Sequence, residues 1–261
     1  MRLDNKVAIV TGGGIGIGRS IALAFAKEGA AVVVAAPPIS ELESVVNEIK
    51  GKGGRATAIQ TDITDEEQVK KMVAQTLDEY GQIDILVNNA GIAGPTANVV
   101  DVTLDDWNKT LAVNLKGTML CCREVLKSMI ARKSGNIINI ASAAAIAGYA
   151  LRSPYCASKW GVVGLTLTLA TEVGIYNIRV NSISPGPVQG PRMDDAFKAK
   201  AEAMGVTYQE IYNSTAANMA LRRLVTSEEI AATAVFLASD ESSGITGEPM
   251  NVNAGLLLNV F

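Results

Sequence analysis

Short runs of consecutive apolar residues alternate with stretches in which apolar residues recur at helical spacing. The runs predict seven strands, at residues 6–10, 31–36, 56–60, 83–87, 135–141, 178–183 and 248–253. Apolar runs of this kind are typical of strands that are buried on both faces of a sheet. The stretches between them predict helices at residues 20–28, 40–50, 65–80, 103–131 and 227–238, with another after Pro154. This order of elements indicates an α/β protein.

One segment interrupts the alternation. Residues 192–224 are polar and rich in alanine, and we expect two helical pieces there. The segment 187–225 is long enough to form a lid over a substrate. No repeat, low-complexity tract or linker divides the sequence, so residues 1–261 are expected to form a single domain.

The first strand leads directly into a glycine-rich turn, Thr11-Gly12-Gly13-Gly14-Ile15-Gly16-Ile17-Gly18, and a helix follows it. Glycines let the backbone approach a pyrophosphate, and a helix N-terminus supplies N–H donors and a positive dipole. The spacing is not G-x-G-x-x-G, and a glycine-rich turn can simply be tight. The strand before it and the helix after it favour a phosphate-binding loop.

Composition and charge exclude several kinds of partner. The chain is 48% hydrophobic and has a formal net charge of -3, with charges of both signs scattered along it. This pattern indicates neither nucleic-acid nor anionic-membrane binding. No apolar run approaches the ~18 residues of a membrane span, and we see no signal-peptide core. We therefore expect a soluble, cytoplasmic protein.

Histidine is absent from the sequence. Its absence excludes Ser-His-Asp and Cys-His catalysis and leaves too few soft ligands for a catalytic zinc site, so we expect no metal. The odd number of cysteines argues against a disulfide framework. We expect Cys121, Cys122 and Cys156 to be small buried hydrophobic residues.

Hydroxyl, phenol and ammonium groups converge where Ser142, at the end of an apolar strand, precedes Ser153-Pro154-Tyr155-Cys156-Ala157-Ser158-Lys159. If the residues after the proline are helical, Tyr155 and Lys159 lie one turn apart on one face. An ammonium within ~4–6 Å lowers the pKa of a tyrosine from its usual ~10 by about 1–3 units, which permits acid/base chemistry. A hydroxyl at Ser142 could donate to a substrate carbonyl. A tyrosine and a lysine extending from a surface helix are the alternative.

Two asparagines and a glycine follow the fourth strand, in Asn88-Asn89-Ala90-Gly91. They are either turn residues or groups that pair with the backbone at the carboxyl edge of the sheet, where open α/β folds bind ligands. Asn114 lies inside a predicted helix, where asparagine is a mildly poor helix former and commonly only a solvated residue.

Together these motifs resemble the short-chain dehydrogenase/reductase family over essentially the whole chain and in the family's order. The motifs are Thr11-Gly12-x-x-x-Gly16-x-Gly18, Asn88-Asn89-Ala90-Gly91, Asn114, Ser142, Tyr155-x-x-x-Lys159 and Pro185-Gly186. The resemblance implies a single NAD(P)-binding catalytic domain of Rossmann type. Its doubly wound sheet would have seven parallel strands with helices on both faces. A homotetramer is expected, with a dimer as the other common state.

The resemblance also implies roles for individual residues. Tyr155 is the expected acid/base, and Lys159 would lower its pKa and hold the nicotinamide ribose. Ser142 would orient the substrate oxygen, and Asn114 would keep a water in the proton relay. Asp62 would contact the adenine. The expected cofactor-binding residues, besides the tyrosine and lysine, are Gly12, Gly14, Ile15, Gly16, Ile17, Gly18, Asp62, Ile63, Asn89, Ala90, Gly91, Pro185, Gly186 and Val188.

The activity implied is hydride transfer between NAD(P) and a secondary alcohol or its ketone, with the protein supplying geometry and proton transfer. A dinucleotide-binding sensor or scaffold without catalysis is the alternative, but it would not need Ser142, Tyr155 and Lys159. A lyase or epimerase that uses the cofactor transiently is a third possibility, and it would not accumulate free NADH.

Two departures from the family pattern concern the cofactor. The second strand ends in Ala36-Pro37-Pro38, which offers neither the acid that commonly holds the NAD ribose nor an arginine for the NADP phosphate. NAD is weakly favoured, because without an arginine the extra phosphate of NADP would be desolvated with no partner. Use of both cofactors is the alternative. Gly190 stands where the family commonly has a threonine that helps to seat the nicotinamide.

Two arginines are candidate substrate ligands beside Ser142 and Tyr155. Arg152 lies three residues before the tyrosine, and Arg192 opens the predicted lid. An arginine can clamp a carboxylate, sulfonate or phosphate with two parallel hydrogen bonds, which would make the substrate a polar or anionic hydroxy compound. Alternatively, Arg152 pairs with an acid at a subunit contact and Arg192 is solvated.

Overall fold

The computed structural model describes residues 1–37 and 39–256, apart from the side chains of Arg192 and Ala203. Its strands form one sheet in the order β3-β2-β1-β4-β5-β6-β7, and every pairing is parallel. The strands are β1 (Val7–Thr11), β2 (Ala31–Ala36), β3 (Arg55–Gln60), β4 (Ile85–Asn88), β5 (Gly135–Ile140), β6 (Ile178–Pro185) and β7 (Pro249–Val252). The predicted seven-stranded parallel sheet is confirmed.

Helices cover both faces of this sheet, as predicted. In the described ranges they are α1 (Gly16–Lys27), α2 (Ile39–Gly51), α3 (Glu66–Tyr80), α4 (Leu104–Leu111), α5 (Thr118–Arg132), α6 (Ser153–Val173), α7 (Pro191–Met204), α8 (Tyr208–Ala216) and α9 (Ser227–Ala238). No helix in these ranges is both long and apolar enough to cross a membrane.

Two apolar cores lie on opposite faces of the sheet. Val10 belongs to the core that includes residues of α1, α2 and α9, whereas Ile9 belongs to the core with α3, α5 and α6. Successive side chains of a strand point to opposite faces, so neighbours in one strand enter different cores. Every residue of β1 and β2 is buried, which explains why these strands are continuous apolar runs.

The long helix predicted at residues 103–131 is interrupted. Between α4 and α5, residues Ala112–Gly117 form a π-helical turn. Asn114 lies in this turn and is buried, so the interpretation of a solvated residue is wrong. A Cβ on Gly117 would lie 2.6 Å from the Ile63 Cδ1 atom, so glycine lets this turn pass close to the chain that follows β3.

A capping box between Thr226 and Glu229 opens α9. The Thr226 hydroxyl accepts the Glu229 N–H, and the Glu229 carboxylate accepts the Thr226 N–H at 2.9 Å. Arg223 pairs with the same carboxylate at 2.6 Å. The bonds from the Arg223 side chain and the Thr226 backbone lower the pKa of Glu229 to about 2.

The two helical pieces predicted within residues 192–224 are α7 and α8. They have a small core of their own, in which the rings of Phe197, Tyr208 and Tyr212 lie 6.0–6.5 Å apart between centroids. Gly190 precedes α7 with φ +150° and ψ 174°, a conformation that is essentially restricted to glycine. A threonine at this position would be strained in this conformation.

Candidate active site

Lys159 is buried between α6 and the end of β5. Its Nζ donates to the Ile140 carbonyl at 2.8 Å and lies 5.9 Å from the centre of the Tyr155 ring. Pro154 occupies the first turn of α6, as predicted, so the tyrosine and lysine lie one turn apart. The lysine is only 5% exposed, which rules out the alternative of a side chain extending from a surface helix.

Ser142 follows β5 directly and caps a short 3₁₀ turn, Ala143–Ala145. Its hydroxyl oxygen accepts the Ala144 N–H at 3.1 Å, and its own proton has no acceptor among the described residues. The Ile140 carbonyl that holds Lys159 belongs to the last residue of β5, two residues before Ser142. The end of β5 therefore brings Ser142 to the lysine and the tyrosine of α6.

Asn114 is held by three hydrogen bonds of its side chain. Its Oδ1 accepts the Ile92 N–H at 2.8 Å, and its Nδ2 donates to the Ile92 carbonyl at 2.9 Å and to the Ser158 Oγ at 3.0 Å. A Cβ on Gly91 would lie 3.1 Å from the Asn114 Oδ1 and 3.5 Å from the Lys159 Nζ. Asn114 and Lys159 thus face the same point at the end of β4.

Ser158 is a site residue that the sequence reasoning missed. It is fully buried, and its Oγ donates to the Tyr155 main-chain carbonyl at 2.7 Å while accepting from Asn114. A polar residue three positions after the tyrosine, on the side of the helix that carries the lysine, was the signal that could have identified it. Ser158 joins the π-helical turn to the turn of α6 that carries Tyr155.

The glycine-rich turn is fixed to the end of β4 by Thr11 and Asn89. The Thr11 hydroxyl accepts the N–H groups of Asn89 and Ala90 at 3.0 and 3.1 Å. The Asn89 Nδ2 donates to the carbonyls of Thr11 and Gly12, both at 3.0 Å. Asn89, Ala90 and Gly91, three of the expected cofactor-binding residues, thus lie where β4 meets this loop.

The loop itself has a tight backbone and an open glycine surface. Gly12 and Gly16 have φ values of +63° and +53°, and a Cβ on Gly18 would lie 2.2 Å from the Gly12 oxygen. A Cβ on Gly16 would meet nothing within 4 Å, so that side of the loop is open. Ile15 caps α1 without a side-chain bond, and the first turn, which contains Ile17, has no acid. The uncapped N–H groups and the open glycine surface fit a pyrophosphate.

The other predicted cofactor residues follow the ends of β3 and β6. Asp62 is exposed, and its Oδ1 accepts the N–H and the hydroxyl of Thr64, both at 2.8 Å. Ile63 is buried. The Gly186 N–H donates to the Val252 carbonyl at 3.0 Å.

Glycine is required at position 186, because a Cβ there would lie 2.9 Å from the Asn253 Cα. Pro185 ends β6 and is buried. Val188 forms an isolated bridge with Val225. All of these residues follow carboxyl ends of strands in the sheet.

Arg152 precedes α6 and bonds to the backbone after β4. Its Nη1 donates to the Ala93 and Gly94 carbonyls at 3.4 and 3.5 Å, and it forms no ion pair in the part of the chain that the structure describes. The Arg192 side chain lies outside the described residues.

The cysteines differ from the prediction in one case. Cys121 and Cys122 are buried, and burial raises the pKa of both thiols, that of Cys122 to about 12. Cys156 is only half-buried, so the prediction that it is buried is wrong. It follows Tyr155 in sequence, but its side chain leaves α6 about 100° further round the helix. No group of three or more acids and cysteines could hold a metal ion in residues 1–37 and 39–256.

Comparison with known proteins decides the family. The family described as enoyl-(acyl carrier protein) reductase matches residues 13–257. The chain is 37% identical over 258 residues to the 3-oxoacyl-(acyl-carrier-protein) reductase FabG of Thermotoga maritima, an alignment that covers 99% of this chain and 100% of that protein. The chain belongs to the short-chain dehydrogenase/reductase family.

Solved structures agree with this membership. The fold is similar to that of an NAD⁺-bound xylitol dehydrogenase, with a TM-score of 0.92 and 32% identity over 98% of this chain and 100% of that one. It is also similar to an actinorhodin polyketide ketoreductase with NADPH, with a TM-score of 0.91 and 32% identity over 97% of both chains. This member of the family is an NAD(P)-dependent oxidoreductase that acts on an alcohol or ketone.

Proposed function

We propose that Tyr155 is the acid/base of this oxidoreductase and that Lys159, Ser142 and Asn114 assist it. The observation that carries the proposal is the buried ammonium of Lys159, anchored to the Ile140 carbonyl and 5.9 Å from the tyrosine ring. Burying an ammonium costs free energy, so a lysine held this deeply beside a phenol favours an electrostatic function.

In the direction of ketone reduction, Tyr155 donates its proton to the carbonyl oxygen of the substrate. The positive charge of Lys159 stabilises the negative charge that develops on the tyrosine oxygen. Ser142 donates a hydrogen bond to the same substrate oxygen, which orients the carbonyl. NAD(P) supplies or accepts the hydride. Alcohol oxidation reverses these transfers.

Asn114 belongs to the proton relay in this proposal. Its amide is fixed by Ile92 and Ser158, and Gly91 leaves the space between its Oδ1 and the Lys159 Nζ open. A water held there would pass a proton from the lysine side to solvent. We also propose that Lys159 holds the nicotinamide ribose, which would reach the lysine through the same opening.

The dinucleotide is proposed to lie along the carboxyl edge of the sheet, with its pyrophosphate over the glycine-rich loop. The open face at Gly16 and the uncapped N-terminus of α1 support this placement. Asp62 and Ile63 after β3, and Gly186 and Val188 after β6, lie at the two ends of that path. NAD is the proposed cofactor in preference to NADP.

Residues 187–225 are proposed as the substrate lid, because α7 and α8 pack around a core of their own. Arg152 and Arg192 are the proposed ligands of a polar or anionic hydroxy substrate. A homotetramer is supported by the exposed Trp160 and Leu167 on α6, and by a separate apolar groove that Leu111, Leu115 and Leu165 help to line. A cytoplasmic location is supported by the free thiols.

The test is Tyr155→Phe, which removes the hydroxyl that transfers the proton and leaves the glycine loop intact. Turnover of alcohols and ketones with NAD and NADP is followed at the nicotinamide absorbance, and cofactor binding by calorimetry. We expect turnover to fall by at least about a hundredfold, the usual contribution of a general acid/base, with the cofactor Kd nearly unchanged. Tyr176→Phe is the control, since Tyr176 lies in the 3₁₀ turn that follows α6, at the opposite end of that helix from Tyr155. Activity of Tyr155→Phe within tenfold of the wild type would contradict the proposal.

A further inference from the structure

An acid lies beside the glycine-rich loop although β2 ends without one. It is Glu41, in the first turn of α2. A Cβ built on Gly14 would lie 2.8 Å from the Glu41 Cβ and 3.3 Å from its Oε2. The side chain is exposed, and within the described residues its carboxylate has no hydrogen-bond or ion-pair partner. A free carboxylate therefore stands next to the loop proposed to hold the dinucleotide.

The two residues after β2 supply no backbone donor for an extra phosphate. Pro37 and Pro38 have no N–H groups, so the residues directly after the strand cannot donate backbone hydrogen bonds. A phosphate that entered this corner would need donors or a cation from elsewhere.

Arg19 and Lys52 are both engaged with another acid. Arg19 of α1 pairs with Glu48 of α2, and Lys52 pairs with the same carboxylate at 2.8 Å. Glu48 lies two helical turns beyond Glu41, so these charges are held away from the start of α2. The corner between Gly14 and α2 thus holds a carboxylate, Glu41, that has no partner among the described residues, while Arg19 and Lys52 are bound to Glu48.

We propose that Glu41 accepts hydrogen bonds from the hydroxyls of the adenosine ribose and thereby selects NAD over NADP. This inference rests on the proposed function in one respect, that a nicotinamide dinucleotide lies over the glycine loop. The carboxylate accepts from a 2′-hydroxyl, whereas it repels a 2′-phosphate. The acid that commonly ends the second strand in dinucleotide-binding folds is replaced here by one supplied from the following helix.

A purely structural function for Glu41 is the competing explanation. An acid in the first turn of a helix is stabilised by the helix dipole. In that case its neutralisation would lower the stability of α2 slightly and leave nucleotide binding unchanged. The two explanations therefore differ in a binding measurement that does not depend on turnover.

The experiment compares Glu41→Gln with Glu43→Gln. Glu43 is exposed on the same helix. Because it lies two residues after Glu41, its side chain points about 200° away, and the control removes the same charge from the other face of α2. Dissociation constants for NADH and NADPH are measured by calorimetry with the wild type and both variants, and Tm is recorded for each. Turnover with NADH is measured separately.

We expect the wild type to bind NADH more tightly than NADPH. Glu41→Gln should raise the Kd for NADH about tenfold, as expected for the loss of a charge-assisted hydrogen bond, and should lower the Kd for NADPH. Glu43→Gln should change neither value by more than about twofold, the size of a surface charge effect. If both nucleotides bind but Glu41→Gln changes their ratio no more than Glu43→Gln does, the inference alone is overturned. Binding of neither nucleotide to any of the three proteins would overturn the proposed function as well.

Discussion

Ser158 accepts a hydrogen bond from the Asn114 Nδ2 at 3.0 Å, across the contact between α6 and the π-helical turn. The same hydroxyl donates to the Tyr155 carbonyl at 2.7 Å. Both residues are buried, so the bond is protected from water. It fixes the asparagine of the proposed relay relative to the turn of helix that carries the tyrosine.

Ser158→Ala should therefore reduce turnover without reducing cofactor affinity. The change leaves an Asn114 N–H group buried without its partner, which costs about 1–3 kcal/mol of folding stability, and leaves the amide held by its two Ile92 bonds alone. We expect kcat to fall about tenfold, because a relay group that is no longer tied to the turn carrying Tyr155 contributes less to proton transfer. The measurements are kcat, the Kd for the cofactor, and the free energy of unfolding.

The matched control for this prediction is Thr166→Val. Thr166, on the same helix, also donates to a main-chain carbonyl, that of Val162 at 2.8 Å, and accepts from an asparagine, Asn139, at 2.9 Å. Its substitution should cost similar stability and leave kcat within about twofold. Equal losses of kcat in the two variants would show that stability, and not the position of Asn114, determines the effect.

Much of the fold was predictable because the signals are local. The continuous apolar runs of β1 and β2 match strands buried on both faces, and the spacing of Tyr155 and Lys159 matches one face of α6. Strand boundaries differ from the prediction by at most two residues.

The features that were missed depend on contacts between distant segments. Nothing in the sequence near Glu41 shows that α2 places it beside Gly14, and a single asparagine at position 114 does not reveal a π-helical turn. The sequence around Ser158 does not distinguish it from other helix residues, because its hydrogen bond to Asn114 depends on how α6 packs against the π-helical turn. Sequence spacing identifies side chains that share a face of one helix or strand. Pairs such as Ser158 and Asn114 lie on two different elements, so they become visible only when the packing of those elements is known.

The capping box of α9 predicts a loss of stability in acid. The folded-state pKa of Glu229 is about 2 against a usual value of 4.5, so the stabilisation it provides is complete above pH 4.5 and disappears as the pH falls through 2. Glu229→Gln should lower the free energy of unfolding at pH 7 by roughly 1 kcal/mol, after allowance for the exposure of the Arg223 pair. Equilibrium unfolding in urea at pH 7 and at pH 3 measures this difference.

The difference between wild type and Glu229→Gln should shrink as the pH falls from 4.5 towards 2. Thr226→Ala is the control, because it removes the hydroxyl cap, worth about 0.5–2 kcal/mol, at either pH. A Glu229→Gln effect that is independent of pH would mean that the ion pair and the cap contribute through packing rather than charge.

The exposed apolar residues of α6 predict a subunit contact. Trp160 and Leu167 lie seven residues apart, about two turns, and therefore on one face, where they are 52% and 46% exposed. Leu167→Glu should dissociate the proposed homotetramer, since a buried unpaired carboxylate is costly at an interface. Sedimentation velocity measures the change in assembly.

Val100→Glu is the control for that prediction, because Val100 is also exposed but lies on a short 3₁₀ turn after β4. It should leave the sedimentation coefficient unchanged. A wild-type protein that sediments as a monomer would contradict the proposed assembly, and dissociation by both substitutions would show a nonspecific effect of added charge.

The last prediction concerns the charge of the substrate. Arg152 donates to the Ala93 and Gly94 carbonyls at the long distances of 3.4 and 3.5 Å, from Nη1 alone. These weak bonds leave the rest of the guanidinium able to bind a carboxylate, sulfonate or phosphate of a substrate. Arg152→Ala should then raise KM for anionic hydroxy compounds by about tenfold or more, the usual contribution of a charged hydrogen bond, and change KM little for neutral alcohols.

Arg152→Lys tests whether Arg152 binds an anionic substrate directly or only supports the backbone after β4. It keeps the positive charge but loses the planar fork, so it should restore only part of the affinity for anionic substrates. If Arg152 only holds the segment after β4 in place, Arg152→Ala should reduce kcat/KM equally for charged and neutral substrates, because a displaced backbone affects every ligand of the site. Equal losses for both classes, or none for either, would therefore contradict the clamp. A loss confined to anionic substrates supports it, because only a direct charge contact distinguishes the two classes.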